Sequence, residues 1–166
     1  MNSKNLIPQQ IFSFALVKKA QGGGGEITFG RTDSQHYTGS ILYVPVQDSP
    51  YWKVQLDNVY VGSTSLGLSK PIIVDTGTTL ILLSNSDCVA IYGKIPGSRL
   101  DSKHGGWVLS KNVDPSLKIS FEFKGTKFAV PVSDLMFEDI DATHALGGIQ
   151  EVPGGNLMIL GDVFIK

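Results

Sequence analysis

Apolar and polar positions alternate along much of this chain at the two-residue period of a strand with one buried face. The clearest stretch is LKISFEF at 117–123. There Ile119, Phe121 and Phe123 would face inward, while Lys118, Ser120, Glu122 and Lys124 would face water. Lys124-Gly125-Thr126 then turns the chain into KFAVPV, which predicts a hairpin. IFSFALV (11–17), GEITFG (25–30), SILYVPV (40–46) and YWKVQLDNVYVG (51–62) are also rich in β-branched and aromatic residues, and turn residues bound them. One segment carries helix signals instead. Ser84 or Ser86 can cap it, Asp87 falls in its first turn, and CVAIYGKI carries it towards Gly93 or Pro96. A second, shorter helical turn is expected at SDLMF, 133–137. The sum predicts one all-β domain with one or two short helices, and no repeat or linker divides it.

Composition narrows the function. A chain of 166 residues can bury a substantial core, and 17% charged residues with 19 glycines favours a turn-rich β protein over a helical bundle or a disordered tail. The net charge of −1 comes with no basic cluster, which argues against nucleic acid as a partner. The aliphatic runs are broken by Asp75 and by glycines, so no membrane span is expected. MNSKNLIPQQ lacks the pattern of a signal peptide. The single cysteine, Cys88, cannot form an internal disulfide, and no Cys/His cluster has zinc spacing; no metal or other cofactor is called for. Gly22–Gly25 is followed by a strand rather than a helix, so it predicts a hairpin loop and not a phosphate cradle. His36, His104 and His144 lie far apart in polar or glycine-rich surroundings and are expected on surface loops. Cys88 is expected as a small buried hydrophobe, and Trp52 and Trp107 as packing residues.

PIIVDTGTTLILLS, 71–84, stands apart. Asp-Thr-Gly is an ordinary turn sequence, but here it joins one apolar strand to another. Such a turn is expected inside the protein, where a carboxylate must be paired, hydrogen-bonded or protonated. Thr76, Thr78 and Thr79 supply hydroxyls for that purpose. A carboxylate held between burial and local donors is a candidate acid or base.

IVDTGTTL, followed far downstream by LMILGDVFIK (157–166), resembles the carboxy-terminal lobe of a pepsin-family aspartic peptidase of fungal type. IFSFAL, GEITFGRTDSQHYTGSILYVPV and YWKVQLDNVYVG match in order, so the resemblance covers nearly the whole chain. It implies a β-rich lobe carrying one catalytic carboxylate, Asp75, on a crossed loop beside the triplet Ile159-Leu160-Gly161. It also implies that the Thr76 hydroxyl bonds across to the other lobe and that Thr78 bonds the outer oxygen of Asp75. Gly77 and Thr79 would contact the substrate backbone, while Tyr51, Ile73, Leu157 and Ile159 would line pockets for hydrophobic side chains. Asp162 would be structural.

Two departures from the family pattern bear on function. The usual second-lobe disulfide is missing, and Asp-Thr-Gly occurs once. The family mechanism needs two carboxylates, one to take a proton from the attacking water and one to hydrogen-bond the peptide carbonyl. The expected partner is therefore an amino-terminal lobe with its own Asp-Thr-Gly and flap tyrosine, and the chain is expected to stop at Lys166 before the last strands of the lobe. Two other readings stand: a half-size peptidase that pairs two copies of Asp75 across a two-fold axis, or a non-catalytic peptide-binding or structural module that kept the fold. By resemblance the full-length protein would be secreted or vacuolar.

Overall fold

Alternation becomes structure where a neighbouring strand is available to complete it. The structure is a computed structural model and describes residues 6–18, 21–47, 50–152, 154 and 157–166. The first five residues of MNSKNLIPQQ lie outside the described residues. Met1–Tyr43 belong to one unit and Val44–Ile165 to a second.

In the first unit, β1 (Phe12–Leu16) and β2 (Gly25–Phe29) form an antiparallel hairpin. The glycine run lies at its loop, as expected. Phe12 stands opposite Phe29 and Phe14 opposite Ile27, so the apolar positions share one face. A 3-10 turn at Ser34–His36 follows, capped by the Asp33 side chain, which accepts from the Gln35 N–H.

The second unit begins with β3 (Lys53–Leu56), β4 (Asn58–Val61) and β5 (Thr64–Ser65). β6 (Lys70–Val74) and β7 (Ile81–Leu83) flank the Asp75 turn, and α1 (Asn85–Tyr92) follows. Next come β8 (Arg99–Asp101), β9 (Gly106–Ser110), β10 (Lys118–Phe123) and β11 (Thr126–Pro131). A 3-10 turn at Val132–Leu135 leads to β12 (Met136–Asp139), β13 (His144–Gly147), β14 (Ile149–Glu151), β15 (Ile159–Leu160) and α2 (Asp162–Ile165). Three sheets result, ordered β11-β10-β4-β5, β12-β13-β9-β8 and β14-β7-β15-β6-β3.

The expected all-β architecture with short helices is what forms. The 117–132 hairpin pairs as expected, Phe121 opposite Phe128. Ser84 is the cap of α1, its hydroxyl accepting from the Asp87 N–H at 3.3 Å. The turn expected at 133–137 forms one residue earlier, and its last two residues join β12. Three expectations need correction. Residues 40–46 form no strand, and among the described residues they join none of the sheets. The 51–62 run divides at Asp57, whose N–H donates to the Glu122 carbonyl; β3 joins the sheet of β6 while β4 pairs with β10. Ser120 is buried rather than wet, because β10 is an inner strand with Tyr60 opposite on one side and Ala129 on the other.

Tyr92, Phe121, Leu56, Ile72, Ile81, Ile91, Leu109 and Leu160 lie in the core. Each such side chain contributes roughly 1.5–3 kcal/mol by leaving water. Trp107 is buried flat against Tyr92, ring centroids 4.8 Å apart, and the Tyr92 hydroxyl donates to the Ile149 carbonyl at 2.6 Å. The Gln150 side chain reinforces this junction. Its Oε1 accepts from the Trp107 N–H and its Nε2 donates to the carbonyls of Trp107 and Gly147. β9 is thereby fixed to β14, the neighbour of β7.

Candidate active site

The two apolar arms around Asp75 do not pair with each other. β15 threads between them, parallel to β6 with Ile159 opposite Ile73, and antiparallel to β7 with Leu160 opposite Ile81. The Asp75 N–H donates to the Leu160 carbonyl at 3.0 Å, continuing this ladder to the foot of the turn. The Val74 N–H donates to the Trp52 carbonyl at 3.0 Å on the other side. Asp75 is therefore fixed by backbone on both flanks.

Its carboxylate is held as closely. Oδ1 accepts from the Gly77 N–H at 2.9 Å, and Oδ2 accepts from the Thr78 hydroxyl at 2.7 Å. A Cβ at Gly77 would lie 3.2 Å from Oδ1, so any side chain there would require the carboxylate to give by a few tenths of an ångström. The second half of the turn is strapped to α2: the Asp162 N–H donates to the Thr78 carbonyl at 2.8 Å, and the Val163 N–H to the Thr79 carbonyl at 3.0 Å. A Cβ at Gly161 would collide with the Thr78 carbonyl and stand 2.5 Å from that of Leu80. Backbone cannot yield as a side chain can, so only glycine lets α2 approach the turn.

The turn does not lie inside, contrary to the expectation from its apolar flanks. Thr76, Gly77 and Thr79 are exposed and Asp75 is half-buried. The arms enter the core through Ile72, Ile73, Ile81 and Leu83, but the turn projects from the end of the sheet. A carboxylate with two oxygens has about four acceptor sites, and two are used here. The arrangement presents an oriented carboxylate that can still receive a proton or bind water.

A family model described as eukaryotic aspartyl protease matches residues 1–166. This chain belongs to that family. Rhizopuspepsin-1 of Rhizopus niveus is 36% identical over 99% of the chain and 41% of the relative. Aspergillopepsin-1 of Aspergillus oryzae is 37% identical over 99% of the chain and 42% of the relative. Cathepsin E of Oryctolagus cuniculus is 31% identical over the whole chain and 44% of the relative. The chain thus spans about two fifths of the length of these relatives.

In this chain, Asp75, Gly77 and Thr78 are joined by direct hydrogen bonds, and Thr76 and Thr79 complete the same turn. Ile73 and Ile159 are paired in register, Ile73 buried and Ile159 half-buried. Tyr51 and Leu157 are exposed just ahead of β3 and β15. Trp52 is exposed rather than buried as expected, and its carbonyl accepts from the Val74 N–H. Cys88 is buried as expected, and burial beside the Asp87 and Glu151 carboxylates pushes its thiol up to about 12. His36 and His104 are exposed, but His144 opens a strand instead of lying in a loop. Glu26, Asp33 and His36 each offer a ligand atom within 4.8 Å of the others, on the exposed surface of the first unit. Among the described residues no helix is long and apolar enough to cross a membrane.

One feature of the loop escaped sequence reasoning. Lys70, the first residue of β6, places its Nζ 2.7 Å from both carboxylate oxygens of buried Asp87. The Ser84 hydroxyl donates to Asp87 Oδ2 at 2.6 Å. This clip joins the far end of one arm to the helix that follows the other. A lysine opening an apolar strand was its only signal.

Proposed function

We propose that this chain is the carboxy-terminal catalytic lobe of a two-lobed aspartic endopeptidase, and that Asp75 is one of its two catalytic carboxylates. The observation that carries the reading is the Asp75 carboxylate, oriented by the Gly77 N–H and Thr78 hydroxyl on a turn that faces outward. The chain's coverage of about two fifths of each relative fits one lobe of such an enzyme.

In the assembled enzyme a second Asp, from the amino-terminal lobe, faces Asp75, and one proton is shared by the pair. The ionised member takes a proton from water as the oxygen attacks the peptide carbonyl, and the protonated member hydrogen-bonds the carbonyl oxygen. The Gly77 N–H and Thr78 hydroxyl keep the carboxylate aimed, which lowers the reorganisation needed at the moment of reaction. Exposed Thr76 is the group that bonds across to the other lobe. Gly77 and Thr79 meet the substrate backbone, and Tyr51, Ile73, Leu157 and Ile159 contribute to pockets that favour hydrophobic side chains. The full-length protein is secreted or vacuolar in this reading.

The test is a peptidase assay at acid pH on the chain alone and on the chain joined to a complementary amino-terminal lobe. A monomeric chain alone is expected to be inactive and the two-lobed protein active. Turnover by a chain shown to be monomeric in sedimentation overturns the proposal. Activity that appears only with a dimer of this chain assigns the second carboxylate to another copy of Asp75. A folded two-lobed protein that binds peptides without cleaving them assigns the chain to peptide binding.

A further inference from the structure

Away from Asp75, a line of polar contacts crosses the sheet β12-β13-β9-β8. β8 is its edge, three residues long and paired only with β9. Arg99 on β8 reaches across β9 to His144 on β13, with Nη1 2.6 Å from Nε2. A guanidinium only donates, so Nε2 must be the acceptor and must carry no proton. The remaining proton of the neutral ring is then on Nδ1, which donates to the Thr143 hydroxyl at 2.8 Å. That hydroxyl in turn donates to Asp141 Oδ1 at 2.7 Å. With Nε2 as acceptor, this order of donors assigns the tautomer of His144.

We propose that Arg99 and His144 form an acid-released clasp that holds the edge strand β8 across β9 to β13. A proton arriving at Nε2 places two donors and two positive charges 2.6 Å apart, and the contact cannot persist. The groups around it are arranged for release and not collapse. Arg99 Nη2 already lies 3.2 Å from Asp101 Oδ2, which also faces His104 at 3.2 Å. The Asp141 carboxylate, 3.6 Å from Nδ1, is there to hold the imidazolium. Hydrogen bonds from the Thr143 hydroxyl and the Thr143 and His144 N–H groups keep Asp141 well below the usual carboxylate range, so it remains charged in acid. Lys111, the other cation beside β13, is engaged by Asp139 at 2.9 Å and by the Asp141 carbonyl, and takes no part. Each charged partner thus has its own carboxylate once the clasp opens.

The device goes beyond the peptidase reading and does not depend on it, but it has a path to the site. β13 runs directly into Gly148, whose carbonyl accepts from the Ile81 N–H of β7, the arm that follows the Asp75 turn. Acid loosens the strip while the Asp75 loop keeps its own ladder.

Nitrogen NMR of the imidazole in the full chain tests the clasp directly. At neutral pH His144 should show an unprotonated Nε2 and a protonated Nδ1. As the ring gains its second proton, the Arg99 guanidinium signal should shift. Amide exchange in β8, corrected for the intrinsic effect of pH, should then rise roughly tenfold, the worth of one charge-assisted hydrogen bond. His144→Gln keeps an acceptor that cannot titrate in this range and should abolish that step. A neutral ring protonated on Nε2 overturns the proposal, as does an equal pH response of β8 in wild type and His144→Gln. If the Gln variant fails to fold, the tautomer and the Arg99 signal of the wild type decide the matter.

Discussion

Asp75 and Asp87 stand on either side of β7, and each is held by a hydroxyl three residues away: Thr78 for Asp75, Ser84 for Asp87. There the likeness ends. Asp87 is buried and bound through both oxygens to Lys70, so its charge is neutralised within the fold. Asp75 is half-buried, makes no ion pair among the described residues, and accepts only from an amide and a hydroxyl. Removing Lys70 would strand a charge in the interior, whereas the partners of Asp75 orient its charge without cancelling it. The difference separates a carboxylate that stabilises the loop from one left available for chemistry.

The sharpest way to break this contrast is to exchange each carboxylate for its amide. Asp75→Asn should abolish turnover in the proposed two-lobed enzyme and leave the melting temperature unchanged. The amide oxygen can still accept from the Gly77 N–H, and the amide nitrogen can donate to the Thr78 hydroxyl, but no proton can be taken up. Retained turnover at acid pH would end the catalytic assignment of Asp75. On the Asp87 side the expected loss is in stability. Lys70→Met should cost about 3–5 kcal/mol in denaturant unfolding, because it leaves a buried carboxylate unpaired. Lys70→Met combined with Asp87→Leu should recover most of that loss. If the single variant is as stable as the wild type, the clip has no role in holding the loop.

Smaller effects refine the comparison. Thr78→Val removes one hydroxyl from a half-exposed carboxylate, so the fold should lose about 1 kcal/mol while turnover falls through misaimed Asp75. Equal turnover would show that the Gly77 N–H orients the carboxylate alone. The least change is expected at Cys88. Its thiol is raised to about 12, so it is protonated at neutral pH and should resist alkylation in the native chain while reacting once unfolded. Rapid native alkylation would show that α1 opens readily.

Elements with a strong local signal were legible in the sequence. LKISFEF announced its strand because its period and its turn agree, and α1 because Ser84, Asp87 and Gly93 mark its ends. Ser120 was misjudged because alternation reports one buried face and cannot show that strands flank β10 on both sides. Residues 40–46 have the composition of a strand, but a strand is a property of a pair. At the site, Asp75, Gly77 and Thr78 were legible as a motif. The outward projection of the turn was not, because apolar flanks describe the arms and say nothing of the tip. The Lys70–Asp87 pair lay beyond local pattern altogether, since it is made only when β6 and α1 come together.

The threading of β15 between β6 and β7 also imposes an order of events in time. Asp75 leaves the ribosome long before Leu160, yet the carbonyl that anchors its N–H and the α2 amides that strap its turn belong to the later segment. A nascent chain that has reached α1 carries the aspartate without the geometry that aims it. Contacts between such distant segments form slowly, so the aimed carboxylate forms late in folding. Synthesis itself delays the aimed carboxylate until the strand and helix that hold it exist.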